Sequence, residues 1–224
     1  MLNVNTRPKR SQLAGFTVFE TLIVVAVLVI MAAILLPMSP RKNPARGAHC
    51  ISLLKQLDLA MIMYSSDYTN QFPMEISTNC GGTHELVANG LVAPQILPLQ
   101  IYLKGSTFYN VLVCPGDTTR AAAVPGAPLT DTNISYFLNP DAQATNNPAN
   151  TAMFGDRDLV ISGHAVAPGL FTFTTGMRLD WGRKFHPLGE NIAFLDGHVE
   201  IIKPGLLAGV LARSLSATNR LLIP

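Results

Sequence analysis

Gly15-Phe16-Thr17-Val18-Phe19-Glu20 introduces a segment in which every residue from Leu22 to Leu36 is apolar. With Phe16–Thr21 and Pro37-Met38 added, that segment would make a helical rod roughly 34 Å long, enough to cross the hydrocarbon core of a bilayer. A carboxylate held in hydrocarbon costs at least about 2.5 kcal/mol, so an acid such as Glu20 at the head of this rod needs a partner. Upstream, residues 1–15 contain Arg7, Lys9 and Arg10 and no acid, the kind of basic flank that stays on the cytoplasmic side. Downstream, Leu35-Leu36-Pro37-Met38-Ser39 has no small-x-small cleavage pattern, so the apolar segment is expected to be retained. Arg41, Lys42 and Arg46 follow it, and charge bias alone leaves the orientation open.

A basic leader ending in Gly, then Phe-Thr-x-x-Glu and an apolar helix, resembles the signature of type IV prepilins and of the pseudopilins of type II secretion. The resemblance implies that a prepilin peptidase cuts between Gly15 and Phe16 and methylates the new amine of Phe16. Glu20 would then be the fifth mature residue, and its charge would be met by the Phe16 amine of the same or a neighbouring subunit, which would direct assembly. Pro37 falls where many members of this class carry a helix-kinking proline.

With the leader, the formal charge is +2; without Arg7, Lys9 and Arg10, 13 basic residues stand against 14 acidic ones, giving −1. That balance gives no nucleic-acid footprint, and 224 residues allow one soluble domain beside the membrane segment. Of the three cysteines, Cys80 and Cys114 both lie in loop-like sequence, Asn79-Cys80-Gly81-Gly82 and Cys114-Pro115-Gly116-Asp117. They are the favoured pair if the domain is exported to an oxidising compartment, with three reduced thiols as the alternative. No paired C-x-x-C points to structural zinc.

Beyond Pro44, Cys50, Leu54, Leu57, Met61, Tyr64 and Tyr68 recur at spacings of four and three and form one apolar helical stripe. Lys55, Asp58, Ser65 and Ser66 are expected on its solvent side, and the helix should stop near Asn70, ahead of Phe72-Pro73. His84–Asn89 reads as a short helix, and 79–82 and 104–106 as turns. Val111–Val113, Ile134–Leu138, Leu159–Ile161 and Leu170–Thr174 read as strands. Asn191–Leu195 and His198–Ile202 flank Asp196-Gly197, which predicts a hairpin with a two-residue type I′ turn. Ile192, Phe194, Val199 and Ile201 would then share one face against the helix. Residues 206–215 suit a last short helix.

His186, nine residues, then Asp196-Gly197 resembles the H-x9-DG signature of a large group of prepilin-type bacterial proteins. Cys50-x4-Lys55-Gln56-Leu57-x2-Ala60-x3-Tyr64-x2-Asp67 and Cys114-Pro115-x-Asp117 are similar to that group's other landmarks, so the resemblance runs from residue 15 to about 202. Asp58 stands where the group often has glycine.

The motif is expected to be structural, although His186, Asp196, His198 and Glu200 could in principle gather round a transition metal. No resident cofactor is expected. Calcium is the stronger candidate ion, by analogy with major pseudopilins, with Asp117, Asp156 and Asp158 as possible oxygen ligands. There is no G-x-S-x-G elbow, phosphate loop or H-E-x-x-H, so enzymatic turnover is not expected.

The expected fold is α+β and pilin-like, with a long kinked N-terminal helix, half transmembrane and half amphipathic, on a small antiparallel β-sheet domain. The expected divisions are a leader at 1–15, a membrane helix at 16–38, an amphipathic continuation at 39–70 and a globular domain at 71–224 with its hairpin region at 186–202. The expected function is a pseudopilin or minor-pilin subunit, single-pass in the inner membrane with a periplasmic or extracellular domain. Its partners would be prepilin peptidase, other pilin or pseudopilin subunits and the membrane, with no nucleic acid. The alternative is an anchored surface module that binds polysaccharide or a partner protein, and a metal-dependent hydrolase is the weaker third option.

Overall fold

The computed structural model describes residues 17–35, 42–143, 148–174, 176–186, 188–213 and 218–224. The chain divides into two units, Met1–Arg41 and Lys42–Pro224.

In the first unit, α1 (Val18–Leu35) begins with a reciprocal cap. The Thr17 amide and hydroxyl donate to Glu20 Oε2 at 2.8 and 2.9 Å, and the Glu20 amide donates to Thr17 Oγ1 at 3.3 Å. This capping box satisfies amides that the first helical turn leaves without partners. Val18 and Phe19 are 84% and 72% exposed, and Leu22, Ile23, Val24, Val25, Val27 and Leu28 are exposed after them. Among the described residues no helix is long and apolar enough to cross a membrane; the 18 residues of α1 would make about 27 Å at helical rise. The expected bend at Pro37 lies outside the described residues.

In the second unit, α2 (Lys42–Asp67) starts earlier than the apolar stripe suggests. Pro44 sits in its first turn, where a missing N–H breaks no helical bond. The stripe is the core: Cys50, Leu54, Leu57, Met61 and Tyr64 are buried, and Tyr68 packs beside them. At the C-terminal end, the Asn70 amide donates to Ser65 O at 2.7 Å around Thr69, whose φ is 53°. This six-to-one closure ends the helix close to the expected place.

Short helical turns follow, including a 3-10 turn at His84–Asn89 and the α-turns α3 (Ala93–Ile96) and α4 (Ser106–Val111). The strand expected at Val111–Val113 is the end of α4 and a turn. Val111 and Leu112 are simply buried, and a short apolar run does not separate strand from buried helix.

The strands are β1 (Tyr136–Leu138), β2 (Ala152–Asp156), β3 (Leu159–Ile161), β4 (His164–Ala165), β5 (Gly169–Thr174), β6 (Leu179–Trp181), β7 (Glu190–Phe194), β8 (Val199–Ile202) and, after the helix α5 (Leu207–Ala212), β9 (Thr218–Ile223). They form a six-stranded antiparallel sheet in the order β5-β9-β1-β2-β7-β8 and a three-stranded sheet β4-β3-β6. The large sheet has two buried faces. On one, Tyr136, Leu138, Phe154 and Ala193 join α2 in the first core. On the other, Phe137, Ile192, Phe194 and Ile202 pack with Trp181 and α5 in the second. A bulge between Ala152 and Phe154 lets consecutive Met153 and Phe154 both enter the first core.

The β7–β8 hairpin forms, but its turn corrects the expected one. The Phe194 amide donates to His198 O at 3.0 Å and the Gly197 amide to Phe194 O at 2.9 Å, so the loop is the three residues Leu195-Asp196-Gly197. Gly197 alone takes positive φ, at 88°, as in three-residue hairpins with a left-handed glycine. Pairing is therefore Ala193 with Val199 and Ile192 with Glu200, one residue away from the two-residue register. A slip of one residue exchanges faces: Ala193, Leu195 and Val199 meet α2, while Ile192 and Phe194 enter the opposite core.

Candidate functional site

The disulfide joins Cys50 to Cys114, with Cα atoms 5.3 Å apart. Cys80 is exposed and free, so the favoured Cys80–Cys114 pair is corrected. Cys50 lies on the buried stripe of α2, which carries it to the Cys114 loop, while Cys80 sits on a surface turn.

The loop after Cys114 turns tightly, with the Asp117 amide donating to Cys114 O at 2.9 Å. It then packs against the stretch of chain that leads into β7. A Cβ on Gly116 would stand 2.9 Å from Phe185 O and 3.0 Å from His186 Cε1, so glycine permits the approach of the two motif loops. His186 Nε2 lies 3.2 Å from Cys114 Sγ and 3.8 Å from Asp156 Oδ2.

Asp156 ends β2 inside the domain. Its Oδ2 accepts from the Asn191 amide at 2.7 Å and from Asn191 Nδ2 at 2.9 Å. Glu190, the first residue of β7, turns back on its own loop, where Oε1 accepts from the amides of Phe185 at 3.3 Å and His186 at 3.2 Å. One ligand-type atom from each of Asp156, His186 and Glu190 lies within 4.8 Å of the others, and all three residues are buried. Asp156 Oδ1 and Glu190 Oε2 have no hydrogen-bond partner among the described residues. Burial, and next the Asp156 charge, push the Glu190 carboxyl up to about 9. Burial also raises Asp156, against the opposing pull of His186 and Asn191.

A cleft of about 380 Å³ lies on the outside of this cluster, lined by Gly116, Thr119, Arg157, Asp158, Lys184 and Phe185 among others. Arg157 grips Asp117 with Nε and Nη2 at 2.8 and 3.1 Å and reaches Thr119 Oγ1 at 2.6 Å; its guanidinium lies 5.3 Å from the Phe185 ring centre. Burial would raise Asp117, but the hydrogen bonds from Arg157 and Thr119 outweigh it and hold the carboxyl below its usual range. Asp158 accepts from the Lys184 amide at 2.7 Å.

Asp117, Asp156 and Asp158 are thus each committed to separate partners, and no potential metal-ligand group among the described residues contains Asp117 or Asp158. The expected calcium set does not gather.

His186 does not reach the Asp196-Gly197 turn; β7 separates them. Asp196 Oδ1 instead accepts from the His198 amide at 3.1 Å and pairs with His198 Nδ1 at 2.5 Å. Glu200 is exposed and pairs across the hairpin with Ile192. Gly15 and Phe16 lie outside the described residues. Of the aromatic residues Trp181, Tyr102, Phe108 and Tyr109, which a carbohydrate or partner contact would need at the surface, Trp181, Phe108 and Tyr109 are buried and Tyr102 is partly buried against the first core.

Asp58 corrects its expected exposure. It is fully buried beneath the Asp-Gly turn, with Oδ2 3.9 Å from where a Cβ on Gly197 would stand. Neither carboxylate oxygen has a hydrogen-bond partner among the described residues. Burial first, and the Asp196 charge second, push this carboxyl up to about 7. The spacing held the clue, since Asp58 is four residues after Leu54 and three before Met61. Glu190 was missed because an acid opening a strand reads as a polar edge. Scans against protein-family models, curated proteins and solved structures return no match to this chain.

Proposed function

We propose that this chain is a prepilin-like subunit of a type II secretion pseudopilus or type IV pilus-like filament, inserted in the inner membrane and processed between Gly15 and Phe16. The observation that carries the reading is α1. It exposes apolar side chains along its length within a unit of its own, and such a helix needs lipid or neighbouring helices to cover it. The apolar sequence continues beyond α1 to Met38, which supports insertion in a bilayer.

The Thr17–Glu20 cap adds a second support. It draws the Glu20 carboxylate back to the amide of residue 17, next to the position where cleavage would create the Phe16 amine. Glu20 would then serve both as a cap for its own helix and as an acceptor for a cationic amine during assembly.

The test is recovery in sheared filaments together with mass measurement of the processed N-terminus. Glu20→Ala is expected to be cleaved normally and to vanish from the filaments; undiminished incorporation would remove the assembly role. The cleft beside Arg157 and Phe185 favours a second reading, an anchored module for a polar ligand. Full-length protein in detergent that bound no polysaccharide on a glycan array would count against glycans as that ligand.

A further inference from the structure

We propose that Asp156, His186 and Glu190 form a buried binding site for one divalent transition metal ion of the zinc class. Three observations converge on it. The ligand-type atoms of the three residues lie within 4.8 Å of one another, so an inward shift of about 1 Å would bring them to the roughly 3.5 Å separations of ligands around one ion at bond lengths of about 2.0–2.2 Å. Two carboxyl oxygens, Asp156 Oδ1 and Glu190 Oε2, are fully buried and have no hydrogen-bond partner among the described residues, an expensive arrangement when nothing positive lies between them. The second shell is already built: Asn191 holds the other oxygen of Asp156, and the amides of residues 185 and 186 hold the other oxygen of Glu190. Such outer contacts orient metal ligands.

Imidazole with two carboxylates is a donor set for zinc and its neighbours rather than for calcium, which prefers six to eight oxygens. The ion's two positive charges would balance the two carboxylates. Entry would come from the cleft, whose wall includes Phe185 and Asp158, next to His186 and two residues from Asp156. The disulfide half Cys114 stands 3.2 Å from His186 Nε2, but its sulfur is bonded to Cys50 and is not counted as a thiolate ligand.

The experiment uses the full chain in detergent, dialysed against chelator and titrated with zinc chloride, with bound metal counted by elemental analysis and heat followed by calorimetry. One equivalent is expected in the native chain. Glu190→Gln should lower affinity by roughly 100-fold or more, while its amide oxygen can still accept from the amides of residues 185 and 186 and so keep the fold. Absence of zinc from the native protein, or full zinc in both Glu190→Gln and His186→Gln, overturns the site.

Cobalt substitution reads the native protein directly, whether or not the variants fold. Visible d–d bands without a near-ultraviolet thiolate band support the carboxylate–imidazole set. A strong thiolate band would place the ion on a cysteine instead and overturn the proposal.

Discussion

Replacing Asp58 with asparagine is expected to make the domain more stable at pH 8 than at pH 5, relative to the native chain at each pH. In the folded protein this carboxyl titrates near 7 because it is buried beneath the Asp-Gly turn and faces Asp196; in the unfolded chain it titrates at about 3.9. Below about pH 4 both states hold the proton and the site adds no penalty. Between about pH 4 and 7 the unfolded chain releases it while the folded one keeps it, so folding loses stability steadily as pH rises. Above 7 the loss levels off at about 4 kcal/mol, three pKa units at about 1.36 kcal/mol each.

The amide introduced by Asp58→Asn cannot ionise, so the difference between variant and native stability should grow by about 2.5 kcal/mol from pH 5 to pH 8. Any fixed cost of burying the amide cancels in that comparison. Urea unfolding at the two pH values, followed through the fluorescence of Trp181, the only tryptophan, measures it. A difference that stays constant across the range would mean that Asp58 is solvated or paired in solution, and the reasoning would fail.

Arg157→Ala should destabilise the domain by about 3 kcal/mol, because it leaves Asp117 buried without its cation. Lys184→Ala, which removes a 67% exposed partner of Asp158, should cost under about 1 kcal/mol; equal losses in urea unfolding would refute that ranking. Cys50→Ser opens a link across a sequence separation of 64 residues and is expected to cost about 4 kcal/mol by loop entropy. A midpoint unchanged from the native chain, in the absence of reductant, would show that the bond is not formed in solution.

Where one physical rule acted alone, the sequence was easy to read. Cys50, Leu54, Leu57, Met61 and Tyr64 follow helical spacing and line the core, and β1, β3 and β5 fall within or beside the β-rich runs that predict them. Where two rules competed, the reading slipped. Asp196-Gly197 satisfies both a two-residue and a three-residue hairpin, and only the pairing partner decides the register and hence which face each side chain joins. Asp58 has stripe spacing but a surface residue's charge, and spacing prevailed. The buried cluster was half legible: His186 and Asp156 stood out singly, but residues 30 apart meet only because β2 and β7 pair, a contact no local pattern encodes. β2 and β9 were overlooked because Ala-Met-Phe-Gly-Asp and Thr-Asn-Arg-Leu-Leu-Ile show no clean alternation.

The position of β9 bears on the order in which the domain can be completed. Residues 218–223 fill the gap between β5 and β1, so the large sheet stays in two pieces throughout synthesis until they emerge. During that interval β5 and β1 each present an open edge, and open edges invite pairing with other chains. Trimming the chain before residue 218 would remove the joint of the sheet rather than a tail, with aggregation as the expected consequence. A tag or fusion placed after Pro224 would likewise be anchored to an interior strand, close to Arg120, whose Nη2 donates to Pro224 O at 2.9 Å.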